Sequence, residues 1–168
     1  MKKIKKSTNN NGLALMLIDM QYNFLNTRKE KIIPNQVKVI KFFKEHNIPL
    51  IIIESAGCGA IHSDLEQEIA RFPKKLIRTF SKYDHGGFTN QQLHAYLAKN
   101  SIKKLLLMGV NGCVCVYETA VSALMYGYKI ITSRDLLHGF YKSGVGFSWY
   151  EENGILKKNY KELLTVSY

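Results

Sequence analysis

No apolar stretch in this 168-residue chain approaches the roughly 18 residues that a membrane span needs. The basic start MKKIKKSTNNNG lacks the small-residue cleavage site of an export signal. A cytoplasmic protein that makes no use of a membrane is expected. Cysteine is scarce and odd in number: Cys58, Cys113 and Cys115. Without an export signal, that excludes a disulfide framework. Cys113 and Cys115 form a C-x-C pair with no second Cys or His pair at zinc spacing, which excludes a structural zinc site. Arginine is scarce too, at positions 28, 71, 78 and 134 alone. The net charge of +11 therefore rests mostly on lysine, whereas bidentate phosphate and base contacts favour arginine. Apart from positions 2–6 the lysines are scattered. They read as a solvated surface, and no nucleic-acid partner is expected.

What is present is ordinary for one globular domain: 46% hydrophobic and 22% charged residues. Residues 1–11 read as a flexible basic lead-in and residues 12–168 as the domain. Within it, buried strands alternate with helices. The first strand is the apolar run LALMLI from Leu13, which stops at Asp19. A helix opens at Pro34 with Val37, Ile40 and Phe43 on one face, and residues 50–55 (LIIIES) form a second strand. Ser63 with Glu66, and Thr89 with Gln92, have capping-box spacing for two further helices. Residues 74–88 between them read as irregular. Residues 105–110 and 128–132 are strands flanking a helix over 116–126, which Gly127 closes. A last helix is expected from Ser148 to about Leu164, with residues 165–168 as a further edge strand. This order specifies an α/β fold: a single three-layer α/β/α domain, Rossmann-type, with a mainly parallel sheet of about five to six strands.

Strand carboxyl ends face the ligand crevice of such a sheet, and chemistry-bearing residues collect there. Asp19 ends the first strand, Lys82 lies before the helix at Thr89, and Cys115 follows the third buried strand. A cysteine at a helix N-terminus feels the positive end of the dipole, which predicts a depressed thiol pKa and a reactive thiolate. First-turn N–H groups can receive an oxyanion beside that sulfur. A lysine would add positive charge, and an aspartate could take and return a proton.

Three motifs make the chain resemble the isochorismatase-like cysteine hydrolases, the group that includes nicotinamidases and related amidases. Asp19-Met20-Gln21-Tyr22-Asn23-Phe24 is similar to D-x-Q-x-x-F. Lys82 stands six residues before Phe88, followed by Thr89 and Leu93. Gly109-Val110, Cys115-Val116, Thr119-Ala120, Ala123 and Gly127-Tyr128 resemble the nucleophile motif. The resemblance covers residues 13–136. It implies Cys115 as nucleophile, Asp19 as general base and acid, and Lys82 as their electrostatic partner. It also implies a cis peptide bond at Val110–Asn111, an oxyanion site at the Asn111 and Cys115 N–H groups, and Phe24 and Asn111 beside the substrate.

The chain departs from the nicotinamidase metal pattern D-x-H-x5-H. Glu54 and His62 keep the outer spacing, but Ala56 stands where the middle ligand belongs. No metal and no cofactor are expected, a residual site with His85 being the exception that would revive one. The aromatic segment over residues 136–150 suits a lid, with Phe140, Tyr141 or Trp149 stacking on substrate, or a subunit interface. The resemblance implies a small-molecule substrate and a homo-oligomer, dimer or tetramer. The activity it implies is thiol-dependent cleavage of a C–N bond in a small amide or ureido compound. The alternatives are isochorismatase-type hydrolysis of a vinyl ether, which needs the acid but not the thiol, and a silent scaffold on the same fold.

Overall fold

A computed structural model of the chain describes residues 12–26, 29–140 and 146–164. The basic cluster at positions 2–6, Tyr141 and the edge strand expected at 165–168 lie outside them. Six parallel strands form one sheet in the order β3-β2-β1-β4-β5-β6. They are β1 (Leu13–Ile18), β2 (Leu50–Ser55), β3 (Ile77–Lys82), β4 (Lys104–Gly109), β5 (Lys129–Ser133) and β6 (Leu156–Lys157). The helices are α1 (Ile33–Glu45), α2 (Ser63–Ala70), α3 (Gln91–Lys99), α4 (Cys115–Met125), α5 (Phe147–Glu152) and α6 (Lys161–Leu164).

The central strand β1 is buried along its whole length because both faces of the sheet are covered. Alternate side chains go to opposite cores. Ala14, Met16 and Ile18 join Leu93 of α3, Val116 and Ala120 of α4 and Tyr150 of α5. Leu13, Leu15 and Leu17 join Val39, Ile40 and Phe43 of α1, Leu65 of α2 and Leu163 of α6. This strict period of two is what a pleated strand with two apolar faces requires.

Register sets the rim. Ile18 pairs with Ile53 on one side and Gly109 on the other, and Ser55 pairs with Lys82. The carboxyl ends of β1 and β4 therefore finish level, and β2 and β3 run two residues beyond them on the same side. The strand order turns outward from β1 in both directions, so the crevice lies between the ends of β1 and β4. Gly109 makes that junction possible. Its φ is +146°, and a Cβ there would lie 2.1 Å from the Ile18 carbonyl oxygen.

Four local expectations need correction. Residues 77–82 form a strand, not an irregular segment. Helix α2 is capped by His62 rather than Ser63, its ring nitrogen accepting the Asp64 N–H. Helix α3 is capped by Asn90 rather than Thr89, through the Gln92 N–H. The long last helix is broken: Gly154, at φ +66°, ends the turn after α5, and β6 and α6 follow separately. Left-handed geometry of that kind suits glycine and stops a helix.

Candidate active site

Asp19 directly follows β1, with its N–H donated to the Ile53 carbonyl at 3.0 Å. Its side chain is completely buried, and so is almost all of Lys82. Lys82 Nζ lies 2.8 Å from Asp19 Oδ2, 2.9 Å from Ser55 Oγ and 3.1 Å from the Asp84 carbonyl. An ammonium so far from water persists only when paired and hydrogen-bonded. Here Ser55 Oγ and the Asp84 carbonyl accept two of its protons, and Asp19 supplies the opposite charge.

Cys115 is the first residue of α4 and is buried. The charge and hydrogen bond of Asp19 favour its protonated thiol, and the Asn111 backbone N–H favours the thiolate. The Val110–Asn111 peptide bond is cis. The Asn111 carbonyl accepts the N–H groups of Val114 and Val116 at 3.1 Å each, folding the turn tightly under α4. As a first-turn residue, Cys115 has an N–H without an intrahelical acceptor. The structure thus brings Asp19, Lys82, Cys115 and Asn111 together.

Residues given no individual role by the sequence hold this rim in place. Gln21 is buried and clamps the loop after β2. Its Nε2 donates to the Ser55 and Gly59 carbonyls at 3.0 and 2.8 Å, and its Oε1 accepts the Ser55 N–H at 2.8 Å. Thr119 Oγ1 donates to the Cys115 carbonyl at 2.6 Å and accepts the Gly87 N–H at 2.8 Å, tying α4 to the turn after Lys82. The available signal is that both are motif positions.

A pocket of about 270 Å³ opens on Lys82 and Cys115, lined also by Phe24, Ser55, Ala56, Cys58, Tyr83, Asp84 and His85. Phe24 is where the motif puts it. Phe140 and Trp149 are elsewhere, packed against the core on the α4 side rather than in this lining. Larger grooves of about 420 and 500 Å³ flank Tyr126, but none of the three paired residues reaches them.

The thiol does not behave as helix position alone predicts. Burial, then the charge and hydrogen bond of Asp19, push its pKa up to about 11, against opposing pulls from Lys82 and the Asn111 N–H. At pH 7 the fraction ionised is ~10⁻⁴, so the resting group is a thiol poised against a carboxylate. Alkylation of Cys115 by iodoacetamide, followed by peptide mass analysis, is expected to keep rising with pH toward a midpoint about 11. Asp19→Asn removes the negative charge that holds the proton, so the midpoint should fall. An unchanged midpoint in that variant would show that the two groups do not interact.

The metal pattern does not fit. Among the described residues no three His, Cys, Asp or Glu side chains gather as a metal site. His62 Nδ1 takes the Asp64 N–H at 3.3 Å, and its ring packs 5.2 Å from that of Tyr22. His85 is exposed at the pocket. Glu54 is half-buried, its pKa raised by burial and then by Asp19. No helix among the described residues is long and apolar enough to cross a membrane.

A family model of the isochorismatase domain matches residues 13–149. An uncharacterized isochorismatase family protein, YaaI of Bacillus subtilis, is 26% identical over 144 residues, 74% of this chain and 79% of that protein. The nicotinamidase SaPncA from Staphylococcus aureus superposes with a TM-score of 0.77 at 20% identity, covering 88% of this chain and 99% of its own. The N-carbamoylsarcosine amidase from Thermoplasma acidophilum gives 0.73 at 20% identity, over 87% and 95%.

Proposed function

The chain belongs to the isochorismatase family, a family of hydrolases, and we propose that within it the protein is a cysteine hydrolase of C–N bonds in small amides or ureido compounds. One observation carries the reading. A buried thiol feels the charge and hydrogen bond of a carboxylate that is itself paired with a buried ammonium at 2.8 Å, and Cys115 and Lys82 line one small pocket with Asp19 buried behind them. The amidase names of the two structures that share its fold support the substrate class.

In this reading, substrate enters beside Phe24 with its carbonyl carbon against Cys115 Sγ. As sulfur attacks, Asp19 takes the thiol proton. A pKa of about 11 makes the bare thiolate rare, so transfer concerted with attack avoids a costly free anion. The tetrahedral oxyanion rests on the Asn111 and Cys115 N–H groups, donors already in place before charge develops. Asp19 returns the proton to the leaving nitrogen, the C–N bond breaks, and a thioester remains on Cys115. Water, deprotonated by Asp19, then releases the acid and restores the thiol. Lys82, 2.8 Å from its carboxylate, holds Asp19 in place throughout. The protein acts in the cytoplasm on a small molecule, without cofactor, nucleic acid or membrane, as a homo-oligomer.

The test is acid quenching during turnover of a panel of small amides and ureides, followed by intact and peptide mass analysis. The expected result is an acyl adduct on the Cys115 peptide alone. Turnover without any adduct, retained in a Cys115→Ala variant, would favour the vinyl-ether type of chemistry instead.

A further inference from the structure

The hydroxyl of Ser55 sits between two of the groups to which the proposed reaction assigns chemistry, although that reaction gives it nothing to do. Lys82 Nζ is 2.9 Å from Ser55 Oγ, and Ser55 Oγ is 3.0 Å from Asp19 Oδ1. Lys82 also reaches Asp19 Oδ2 directly at 2.8 Å. An ammonium can only donate, and an ionised carboxylate can only accept. The serine must therefore take a hydrogen bond from Lys82 and give its own proton to Asp19. The direction of the network is fixed by its ends.

The hydroxyl is also held from behind. Ser55 is the last residue of β2 and pairs with Lys82 across the sheet. Its N–H donates to Gln21 Oε1, and its carbonyl accepts from Gln21 Nε2. With the backbone pinned on two sides, Ser55 Oγ has a defined place: it donates to one carboxylate oxygen, while the other faces the Lys82 ammonium at 2.8 Å. That arrangement resists rotation of the Asp19 carboxylate about its Cβ–Cγ bond. Lys82 alone would leave one oxygen free to turn.

We infer that Ser55 is a positioning residue for proton transfer, holding the Asp19 carboxylate in the orientation that meets the Cys115 thiol and spreading the Lys82 charge onto its second oxygen. The inference rests on the cysteine-hydrolase reading above. Placement predicts an effect on the chemical step rather than on binding, because Asp19 works on the proton and not on the recognition of substrate.

The matched pair Ser55→Thr and Ser55→Val separates hydroxyl from shape, since the two side chains are nearly isosteric. Ser55→Val is expected to lower kcat on the order of 10- to 100-fold with KM within about twofold. Ser55→Thr is expected to recover most of that loss. Equal kcat in the two variants overturns the inference, as does a loss confined to KM. If neither β-branched variant folds at this strand end, Ser55→Ala takes their place, and wild-type kcat there overturns it equally. Failure of the underlying reading shows differently, as no turnover by the unmodified protein. In that event the pH midpoint of Cys115 alkylation decides. A shift of roughly half a pH unit or more in Ser55→Val but not in Ser55→Thr supports the role of the hydroxyl, and one midpoint for all three proteins overturns it.

Discussion

Replacing Lys82 with methionine is expected to destabilise the fold by about 3–5 kcal/mol and to remove activity with it. The stem would be conserved in bulk, so packing is not the cause. The lysine side chain is 1% exposed and that of Asp19 is 0% exposed. Removing the ammonium leaves an ionised carboxylate with no counter-charge and no water. It also takes donors from Ser55 Oγ and the Asp84 carbonyl. Lys82→Met combined with Asp19→Leu should recover much of the loss, because a pair replaced by apolar residues no longer carries a desolvated charge. Urea unfolding of the two single variants and the double variant measures the coupling. A Lys82→Met protein as stable as the parent would mean that the pair is far more hydrated than its burial indicates. Recovered stability without recovered activity is the signature of a group kept for chemistry.

Lys82 also shows where sequence is legible and where it is not. The family motif marks it, but nothing in the pattern around it marks a strand. In IRTFSK only Phe80 is buried among the four residues before Ser81, while Arg78 and Thr79 are exposed. This is the edge strand of the sheet, and its apolar residues at 77 and 80 do not alternate. By contrast β1, β2 and β4, covered on both faces, read at once as unbroken apolar runs. The caps slipped by one residue for a related reason. His62 stands just before Ser63 and Asn90 just after Thr89, both of good capping type, and each supplies a side-chain acceptor itself. At the end of the chain, Asn153-Gly154 was a stop signal inside what reads as one amphipathic segment. Ser55 was legible by the same rule that marks Asp19, a polar residue ending a buried strand. Its partners depend on register, which local sequence does not display. The thiol departs from the expectation of a depressed pKa because a helix N-terminus contributes a modest field, whereas burial and a neighbouring carboxylate oppose it more strongly.

Cys115→Ala is expected to lower kcat by ~10⁴-fold or more while changing stability by no more than about 1 kcal/mol. Those two outcomes belong together. The sulfur faces a pocket on one side, so its loss leaves little sealed cavity, and α4 keeps its contacts through Val116, Ala120 and Ala123. What is lost is the atom that forms the acyl bond, which no neighbour can replace. Cys58 lines the same pocket but does not open a helix, and Cys113 is buried with its thiol donated to the Gly139 carbonyl at 2.9 Å. Cys58→Ala and Cys113→Ala should therefore keep most of the activity. Cys115→Ser refines the measurement, because a hydroxyl in the same place can still hydrogen-bond to Asp19 yet ionises far less readily than a thiol. It should bind substrate normally and turn it over barely. The vinyl-ether alternative makes the opposite forecast, since acid chemistry at Asp19 would survive both substitutions at Cys115 and fail only in Asp19→Asn. Steady-state rates for these variants on one cleaved substrate, beside melting curves for each, separate the two chemistries without knowledge of the natural substrate. Activity retained in Cys115→Ala and lost in Asp19→Asn would move the reaction from the sulfur to the carboxylate.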